Sequence, residues 1–187
     1  MTCPVCDAAL QRAPLLPGDG DAPDLRGFRC PNAHGLFLPS DLYFAWREGH
    51  EPVVDGGGLI PSPDAVGDVK KPKLCPQDGR IMGRYKVGAG NTFWLDRCAT
   101  CSGVWFDGDE WEATVEAGLL DHLPSIVTDA WQRTIEDDEA ASTRAGTLRD
   151  RLGADDLERI DAFRTWAWAH PERHVILARL GERPEAA

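Results

Sequence analysis

The stretch 97–112, RCATCSGVWFDGDEWE, decides how this chain folds. Its two cysteines, Cys98 and Cys101, are separated by two residues, a spacing that lets both sulfurs of one turn point at a single metal ion. Asp107 and Glu110 fit a capping box, with Asp107 as the N-cap of a helix and Glu110 three residues later. The stretch therefore predicts a metal knuckle followed by a helix.

An earlier segment repeats this stretch, which indicates an internal duplication. The residues FRCPNAHGLFLPSDLY at 28–43 align with it in the following pairs: Gly35 with Gly103, Leu36 with Val104, Phe37 with Trp105, Leu38 with Phe106, and Asp41 with Asp109. Cys3 precedes Cys30 by 27 positions, and Cys75 precedes Cys98 by 23. We interpret the two copies as one module whose internal loop differs by a few residues.

The duplication predicts four segments: a first module at 1–50, a linker at 51–72, a second module at 73–123 and a helical tail at 124–187. The linker, EPVVDGGGLIPSPDAVGDVKKP, is rich in Gly, Pro and Asp, which is typical of a flexible connection. An ordered surface loop packed on a module is the alternative. The predicted class is α+β: two small β modules, each followed by a helix, and a C-terminal α-helical region.

Short apolar runs inside the copies predict strands. RIMGRYKV at 80–87 and NTFWLDRC at 91–98 flank a GAG turn, which favours a hairpin. Ser40 is a candidate N-cap for the helix of the first copy.

Beyond Pro124 the pattern becomes helical. Val127, Trp131 and Ile135 recur every four residues. A later helix, capped at or near Asp155, places four apolar residues on one face: Leu157, Ile160, Phe163 and Ala167. Pro171 ends it and suits the first turn of a last helix. We expect three tryptophans to fill a small helical core: Trp131, Trp166 and Trp168.

The first copy offers a complete set of metal ligands: Cys3, Cys6, Cys30 and His34. Zinc prefers four tetrahedral ligands of this kind, and two knuckles joined by a hairpin supply them. Because so small a module has little apolar core, the metal contributes much of its folding free energy. Buried free thiols beside a surface histidine are the alternative.

The second copy offers Cys75, Cys98 and Cys101, with Asp78 where a fourth cysteine is expected. An aspartate oxygen is an accepted but harder and more exchangeable zinc ligand. Asp78 completes the tetrahedron in one interpretation, and a water or Asp96 fills the corner in another. In a third, the site is empty and aromatic packing holds the module together, through Phe93, Trp94, Trp105 and Phe106.

The ligand types favour a structural over a catalytic metal. Three thiolates place three negative charges around a divalent ion, which blunts its Lewis acidity. His122 is the nearest histidine to the second copy, too distant in sequence to suggest a general base. CATC also matches a redox pair, but the βαβ pattern of thioredoxin-like proteins is absent.

The second copy resembles the transcription-factor-IIB-type zinc finger of bacterial proteins. The residues that carry the resemblance are Cys75, Cys98, Cys101, Gly103, Trp105, Asp107 and Glu110, while Asp78 departs from the pattern at a ligand. The first copy matches more loosely, at Cys3, Cys6, Cys30 and Gly35, with His34 one place late. The resemblance implies two zinc ribbons, two Zn²⁺ ions and, through the family name, a link to transcription. The helical tail lies outside it.

Charge is distributed unevenly along the chain. The net charge of −11 is made up of −6 in residues 1–68, +5 in residues 69–101 and −10 in residues 102–187. The positive segment contains candidate nucleic-acid contacts, namely Lys71, Lys73, Arg80, Arg84, Lys86 and Arg97, interleaved with aromatic residues that can stack on bases. Pairing of these cations with the acidic tail of the same molecule is the alternative.

The sequence favours three functions in descending order: a non-catalytic protein-interaction module linked to transcription, a nucleic-acid-binding protein, and a zinc-handling protein or enzyme that uses the Asp78 corner. The N-terminus has neither the basic start nor the apolar core of a signal peptide, and no apolar run approaches the ~20 residues that span a bilayer. We therefore expect a cytoplasmic protein with no membrane partner. Thiols stay reduced in that compartment, which favours metal over disulfides.

Overall fold

In a computed structural model of the chain, the structure describes residues 1–18, 23–50, 71–89 and 94–182. The chain divides into two compact units, Met1–Asp138 and Glu139–Ala187. Most of the predicted linker, and the last glycine of the predicted GAG turn, lie outside the described residues.

The described strands form one antiparallel sheet in the first unit. In chain order they are β1 Gln11–Leu16, β2 Leu25–Arg29, β3 Gly35–Leu38, β4 Gly83–Lys86, β5 Trp94–Arg97 and β6 Val104–Asp107. Their order in the sheet is β1-β2-β3-β6-β5-β4. The predicted hairpin is confirmed, because β4 and β5 lie within the predicted runs 80–87 and 91–98 and pair antiparallel. The first three residues of the second run, including Phe93, lie outside the described residues. Each copy of the duplication contributes three adjacent strands.

The two copies meet where β3 pairs with β6. In that pairing Phe37 lies opposite Trp105, and Leu36 and Leu38 lie opposite Phe106 and Val104. Phe37 and Trp105 are equivalent positions of the duplication, 68 residues apart. A residue that faces its own equivalent lies on a pseudo-twofold axis, so the halves are related as the subunits of a symmetric dimer are.

Helices follow the last strand of each copy and make up the C-terminal region. They are α1 Ser40–Glu48, α2 Glu110–Glu116, α3 Leu123–Ile126, α4 Asp129–Leu152, α5 Ala154–Ala169 and α6 Arg173–Leu180, with a 3₁₀ turn at Leu120–His122. The predicted combination of β-strands and helices is therefore confirmed at the level of fold class.

The two faces of the sheet bury different partners, because alternate residues of a strand point to opposite faces. Leu36, Leu38 and Phe106 belong to an apolar cluster that includes Tyr43 of α1 and Trp111 of α2. The second cluster is smaller and contains four buried cysteines together with Phe37, Met82 and Trp105. Helices α1 and α2 thus cover one face, and the cysteines pack against the other.

The three predicted helix caps are wrong: α5 begins after Gly153 rather than at Asp155, and at Ser40 and Asp107 other groups bind the side chains. Ser40 is the first residue of α1, and its hydroxyl donates to the carbonyl oxygen of Cys101 at 2.7 Å. Asp107 ends β6, and its carboxylate accepts from Trp105 Nε1 at 2.7 Å. One half of the capping box survives, since Glu110 accepts from the backbone N–H of Asp107 at 2.7 Å.

The helical tail lacks most of the predicted tryptophan core. In the second unit Trp166 is 51% and Trp168 63% exposed, while Ala167 is buried. Trp131 belongs to the first unit, where it packs on the apolar core and donates to the carbonyl of Val87 at 3.2 Å. Among the described residues, no helix combines the length and the apolar character that crossing a bilayer requires.

Equivalent glycines allow close packing at the junction of the halves. A Cβ on Gly35, at a φ of +144°, would lie 2.1 Å from the carbonyl oxygen of Phe106. A Cβ on Gly103 would lie 2.3 Å from the ring of Phe37. Any side chain at either position would push β3 and β6 apart.

We predict that Gly35→Ala lowers the free energy of unfolding of the first unit by about 2 kcal/mol or more. The added Cβ would clash with the carbonyl oxygen of Phe106, and a backbone atom cannot move aside as a flexible side chain can. Urea denaturation of metal-saturated protein, followed by near-UV circular dichroism, measures this change. Gly146→Ala is the control, since a Cβ there meets nothing within 4 Å. Unchanged stability of Gly35→Ala would contradict the packing described here.

Candidate metal centres

The first module brings its four predicted ligands together. One donor atom from each of Cys3, Cys6, Cys30 and His34 lies within 4.8 Å of the others. Sγ of Cys6 is 3.6 Å from Sγ of Cys30, which in turn is 3.6 Å from Nδ1 of His34. The loop between the cysteine pairs forms β1 and β2, which return the chain so that the pairs meet.

The second module brings its four predicted ligands together in the same way. Donor atoms of Cys75, Asp78, Cys98 and Cys101 lie within 4.8 Å of one another. The Sγ atoms of Cys75 and Cys101 are 3.5 Å apart, and Oδ2 of Asp78 is 3.1 Å from Sγ of Cys98. Asp78 therefore occupies the corner that the duplication reserves for a cysteine.

These distances fit a tetrahedral metal ion. Zinc–sulfur bonds of about 2.3 Å at tetrahedral angles place two sulfurs about 3.8 Å apart, and a sulfur and a nitrogen or oxygen about 3.6 Å apart. The Cys6–Cys30, Cys30–His34 and Cys75–Cys101 separations agree with these values within a few tenths of an ångström, and the Asp78–Cys98 contact is shorter. All six cysteines are free thiols. Each group can thus hold a metal ion.

Backbone amides of the knuckles point at the buried sulfurs. Val5 N–H donates to Sγ of Cys3 at 3.4 Å, Gln77 N–H to Sγ of Cys75 at 3.4 Å, and Thr100 N–H to Sγ of Cys98 at 3.3 Å. Hydrogen bonds to sulfur favour the thiolate, which is the form that binds a metal. The donor is in each case two residues after the cysteine, so the turn itself supplies it.

Left-handed backbone conformation closes each knuckle. The described non-glycine residues with positive φ are Asp7, Ala33 and Ser102, and Gly79 shares the conformation. In three knuckles this residue follows the second ligand. In the fourth knuckle the left-handed residue, Ala33, precedes the ligand His34. His34 thus lies four residues after Cys30 instead of three, and its side chain, which is longer than that of cysteine, reaches the site. Such conformations are costly for residues with a Cβ and persist where their surroundings impose them.

Burial and hydrogen bonding divide the ligands into two kinds. Burial raises the pKa of Cys3 and of Cys75 to about 12. The backbone N–H of Ala8 and the side chain of Asn32 lower the pKa of the half-exposed Cys6 to about 6. Asp78 is exposed, and the backbone N–H of Arg80 and the Cys98 thiol lower its pKa. A metal must therefore displace protons from the buried thiols, and the second centre faces solvent at Asp78.

A buried charge network lies beside the second centre. Nζ of Lys73 is 2.6 Å from Oδ2 of Asp96 and 2.6 Å from Oδ2 of Asp107. Burial disfavours the Lys73 ammonium, but hydrogen bonds to Asp107 and Asp96 outweigh it and raise the pKa of Lys73. Asp96, considered from sequence as an alternative fourth ligand, is thus paired with Lys73 instead.

The network corrects one predicted nucleic-acid contact. Lys73 is 1% exposed, so it cannot reach a phosphate. Arg84 and Lys86 lie over the ring of Trp94, at 5.0 and 5.7 Å from its centroid. Lys71 and Arg80 are exposed, and half-buried Arg97 donates to the hydroxyl of Ser102 at 2.8 Å.

Sequence reasoning missed this network. The available signal was the pair Trp105 and Asp107, because side chains two residues apart on a strand point to the same face. Asp107 and Glu110 were assigned to a helix cap, and Lys73 to a surface. Nothing local in the sequence pairs Lys73 with a strand more than 20 residues away.

Comparison of the chain with family models, with curated proteins and with solved structures finds no significant match in any of the three.

We predict that Asp78→Cys tightens metal binding at the second centre about tenfold or more, because thiolate is the softer ligand. The reciprocal variant Cys6→Asp, at the equivalent corner of the first module, weakens that centre. Competition of Co²⁺-loaded protein with a chelator, followed through the sulfur-to-cobalt absorption bands, measures both. If neither substitution changed the affinity of its own centre, these side chains would not be ligands.

Glu110 gives a pH-dependent prediction. Burial raises its pKa from 4.5 to about 9, against the opposing hydrogen bond from the Asp107 N–H. Between these two pH values the folded chain keeps a proton on Glu110 that the unfolded chain releases. The contribution of Glu110 to the free energy of unfolding is therefore lost as pH rises from about 4.5 to about 9.

We predict that the stability of Glu110→Gln relative to the native chain rises between about pH 5 and pH 9, by at most about 1.4 kcal/mol per unit. Denaturation of both proteins at saturating metal cancels the pH dependence of metal binding. A constant difference across this range would mean that Glu110 is ionised in the folded chain.

Proposed function

We propose that this chain is a non-catalytic protein-interaction module built on two zinc ribbons. One observation carries the proposal: two four-donor clusters occur at equivalent positions of a duplicated fold. Each cluster has three sulfurs and one nitrogen or oxygen, a donor set that favours zinc among divalent ions.

The donor count supports a structural role for both ions. A catalytic zinc keeps one coordination position open for water or substrate, whereas each cluster here supplies four protein donors. The cysteine face of the sheet buries few apolar residues, chiefly Phe37, Met82 and Trp105. Metal ions between the knuckles therefore provide folding free energy that this face lacks, and any binding surface on it depends on them.

Exposed apolar residues near the second centre support a protein partner. Leu74 is 55% and Ile81 72% exposed, and the two form an isolated bridge across the first knuckle of that module. The corresponding bridge of the first module joins Thr2 to Ala9. A net charge of −11 opposes nucleic acid as the ligand of the whole chain. The resemblance to the transcription-factor-IIB-type finger directs the partner search first to the transcription machinery.

Nucleic-acid binding is the second candidate function, favoured by the positions of Arg84 and Lys86 over the ring of Trp94. An aromatic ring flanked by cations is a surface on which bases stack. Such binding would weaken steeply with salt, which distinguishes it from apolar docking.

We predict that the zinc-loaded chain captures a protein partner whose affinity depends on Leu74 and Ile81. The double variant Leu74→Thr, Ile81→Ala introduces the residues of the equivalent bridge in the first module, Thr2 and Ala9. It should weaken binding about tenfold or more while both zinc ions stay bound. Calorimetry with the purified partner measures this. Leu180→Ala, at an exposed leucine of the second unit, is the control. The proposal fails if binding survives removal of zinc, or if DNA or RNA binds in preference with a steep salt dependence.

A further inference from the structure

The first unit contains a small pocket beside the second metal centre. Its volume is about 90 Å³. Tyr43 and Phe44 of α1 form one side, and Leu123 and Val127 form another. The polar groups that line it include Arg97 and Ser102, the residue directly after the ligand Cys101. We call this space the Arg97 pocket.

Pseudo-symmetry shows what the Arg97 pocket lacks. The offset of 68 residues that relates the copies makes Arg29 equivalent to Arg97, and Phe44 equivalent to Glu112. In one half, Nη2 of Arg29 lies 3.3 Å from Oε1 of Glu112, across the junction between the copies. In the other half the carboxylate position is taken by Phe44. Among the described residues, no carboxylate pairs with Arg97.

The pocket is sized for one side chain. Small-molecule sites usually enclose about 300–1,000 Å³, several times this volume. A single apolar side chain fits, with its neighbours on the chain remaining outside. The size thus favours a segment of a protein over a metabolite or a cofactor.

We propose that the Arg97 pocket binds an acidic-apolar segment of a partner protein. One apolar side chain enters the pocket, and a neighbouring carboxylate pairs with Arg97 in the place that Glu112 fills beside Arg29. This proposal rests on the proposed function as a protein-interaction module, and it adds the chemistry of the segment that is recognised.

Local charge favours this ligand despite the acidity of the whole chain. Arg97 belongs to the segment 69–101, which carries a net charge of +5. Its guanidinium is half-buried, and the Ser102 hydroxyl at 2.8 Å holds it in place. A planar, positioned guanidinium forms strong paired hydrogen bonds with a carboxylate. None of the residues lining the pocket is acidic.

The pocket also depends on the second metal centre. Ser40, which lines it, donates to the carbonyl oxygen of the ligand Cys101. Ser102 directly follows that ligand, and Val104 lies three residues after it. Loss of the metal would release the knuckle that forms this wall, so the peptide should bind the zinc-loaded chain only.

The test is selection of linear 12-residue peptides from a phage-displayed random library on the full zinc-loaded chain. We expect selected peptides to place Asp or Glu within a few positions of a large apolar residue. Fluorescence anisotropy of one labelled peptide then gives its Kd for the native chain and for three variants: Arg97→Gln, Phe44→Glu and Arg29→Gln.

Arg97→Gln removes the cation and should weaken binding about tenfold or more. Phe44→Glu restores the carboxylate that the other half carries, so it should satisfy Arg97 internally and weaken binding to a similar extent. Arg29→Gln is the matched control and should leave Kd unchanged, because Arg29 already pairs with Glu112. Zinc content and near-UV circular dichroism establish that each variant is folded.

Three results would overturn the proposal: no selected peptide, selected peptides without acidic residues, or a Kd that neither Arg97→Gln nor Phe44→Glu changes. Peptides that need zinc but ignore both substitutions would refute the pocket and leave the protein-interaction module standing. Failure to capture any protein partner would refute the module itself.

Discussion

The pairing of β3 with β6 is the constraint on which the rest of the structure depends. It joins two copies of one module into a single sheet and places the equivalent residues Phe37 and Trp105 opposite each other. Because alternate residues face opposite sides, this register sends the apolar neighbours of these rings to the helices and the rings themselves to the cysteines. A shift by one residue would exchange the two faces. Gly35 and Gly103 leave the space that this close register requires.

Contacts across the junction tie the metal centres to the helices. The hydroxyl of Ser40 in the first copy donates to the carbonyl of Cys101 in the second, and the N–H of Gly108 in the second donates to the carbonyl of His34 in the first. Helix α1 thus begins at the knuckle of the second copy, and the turn before α2 contacts the knuckle of the first. The two copies also differ, since the first has Cys6 where the second has Asp78, and Phe44 where the second has Glu112. In the proposed zinc-loaded chain, the first difference would make the ion of the second centre the more exchangeable, and the second leaves Arg97 without the carboxylate that Arg29 has.

The sequence predicted the features that depend on residues close together in the chain. Cysteine spacing predicted both four-residue groups, since two residues between ligands fix the shape of a knuckle, and alternating runs predicted β4 and β5. The join between β3 and β6 could not be predicted, because it depends on pairing between strands far apart in sequence. The Asp107 carboxylate does not cap a helix, because the buried Lys73 and Trp105 bind it instead. Helical periodicity in α5 indicated an apolar face without indicating what covers it, so Trp166 and Trp168 were wrongly expected in a core.

The central claim is that two zinc ions complete the cysteine side of this pseudo-symmetric sheet. Native mass spectrometry of the intact chain, purified without added metal or chelator, tests it most directly. We expect two zinc ions per chain. A mild chelator should remove the ion of the second centre before that of the first, because the ligand Asp78 is exposed. A chain that is fully folded with no bound metal, or one that holds both sulfur clusters as disulfides, would contradict it.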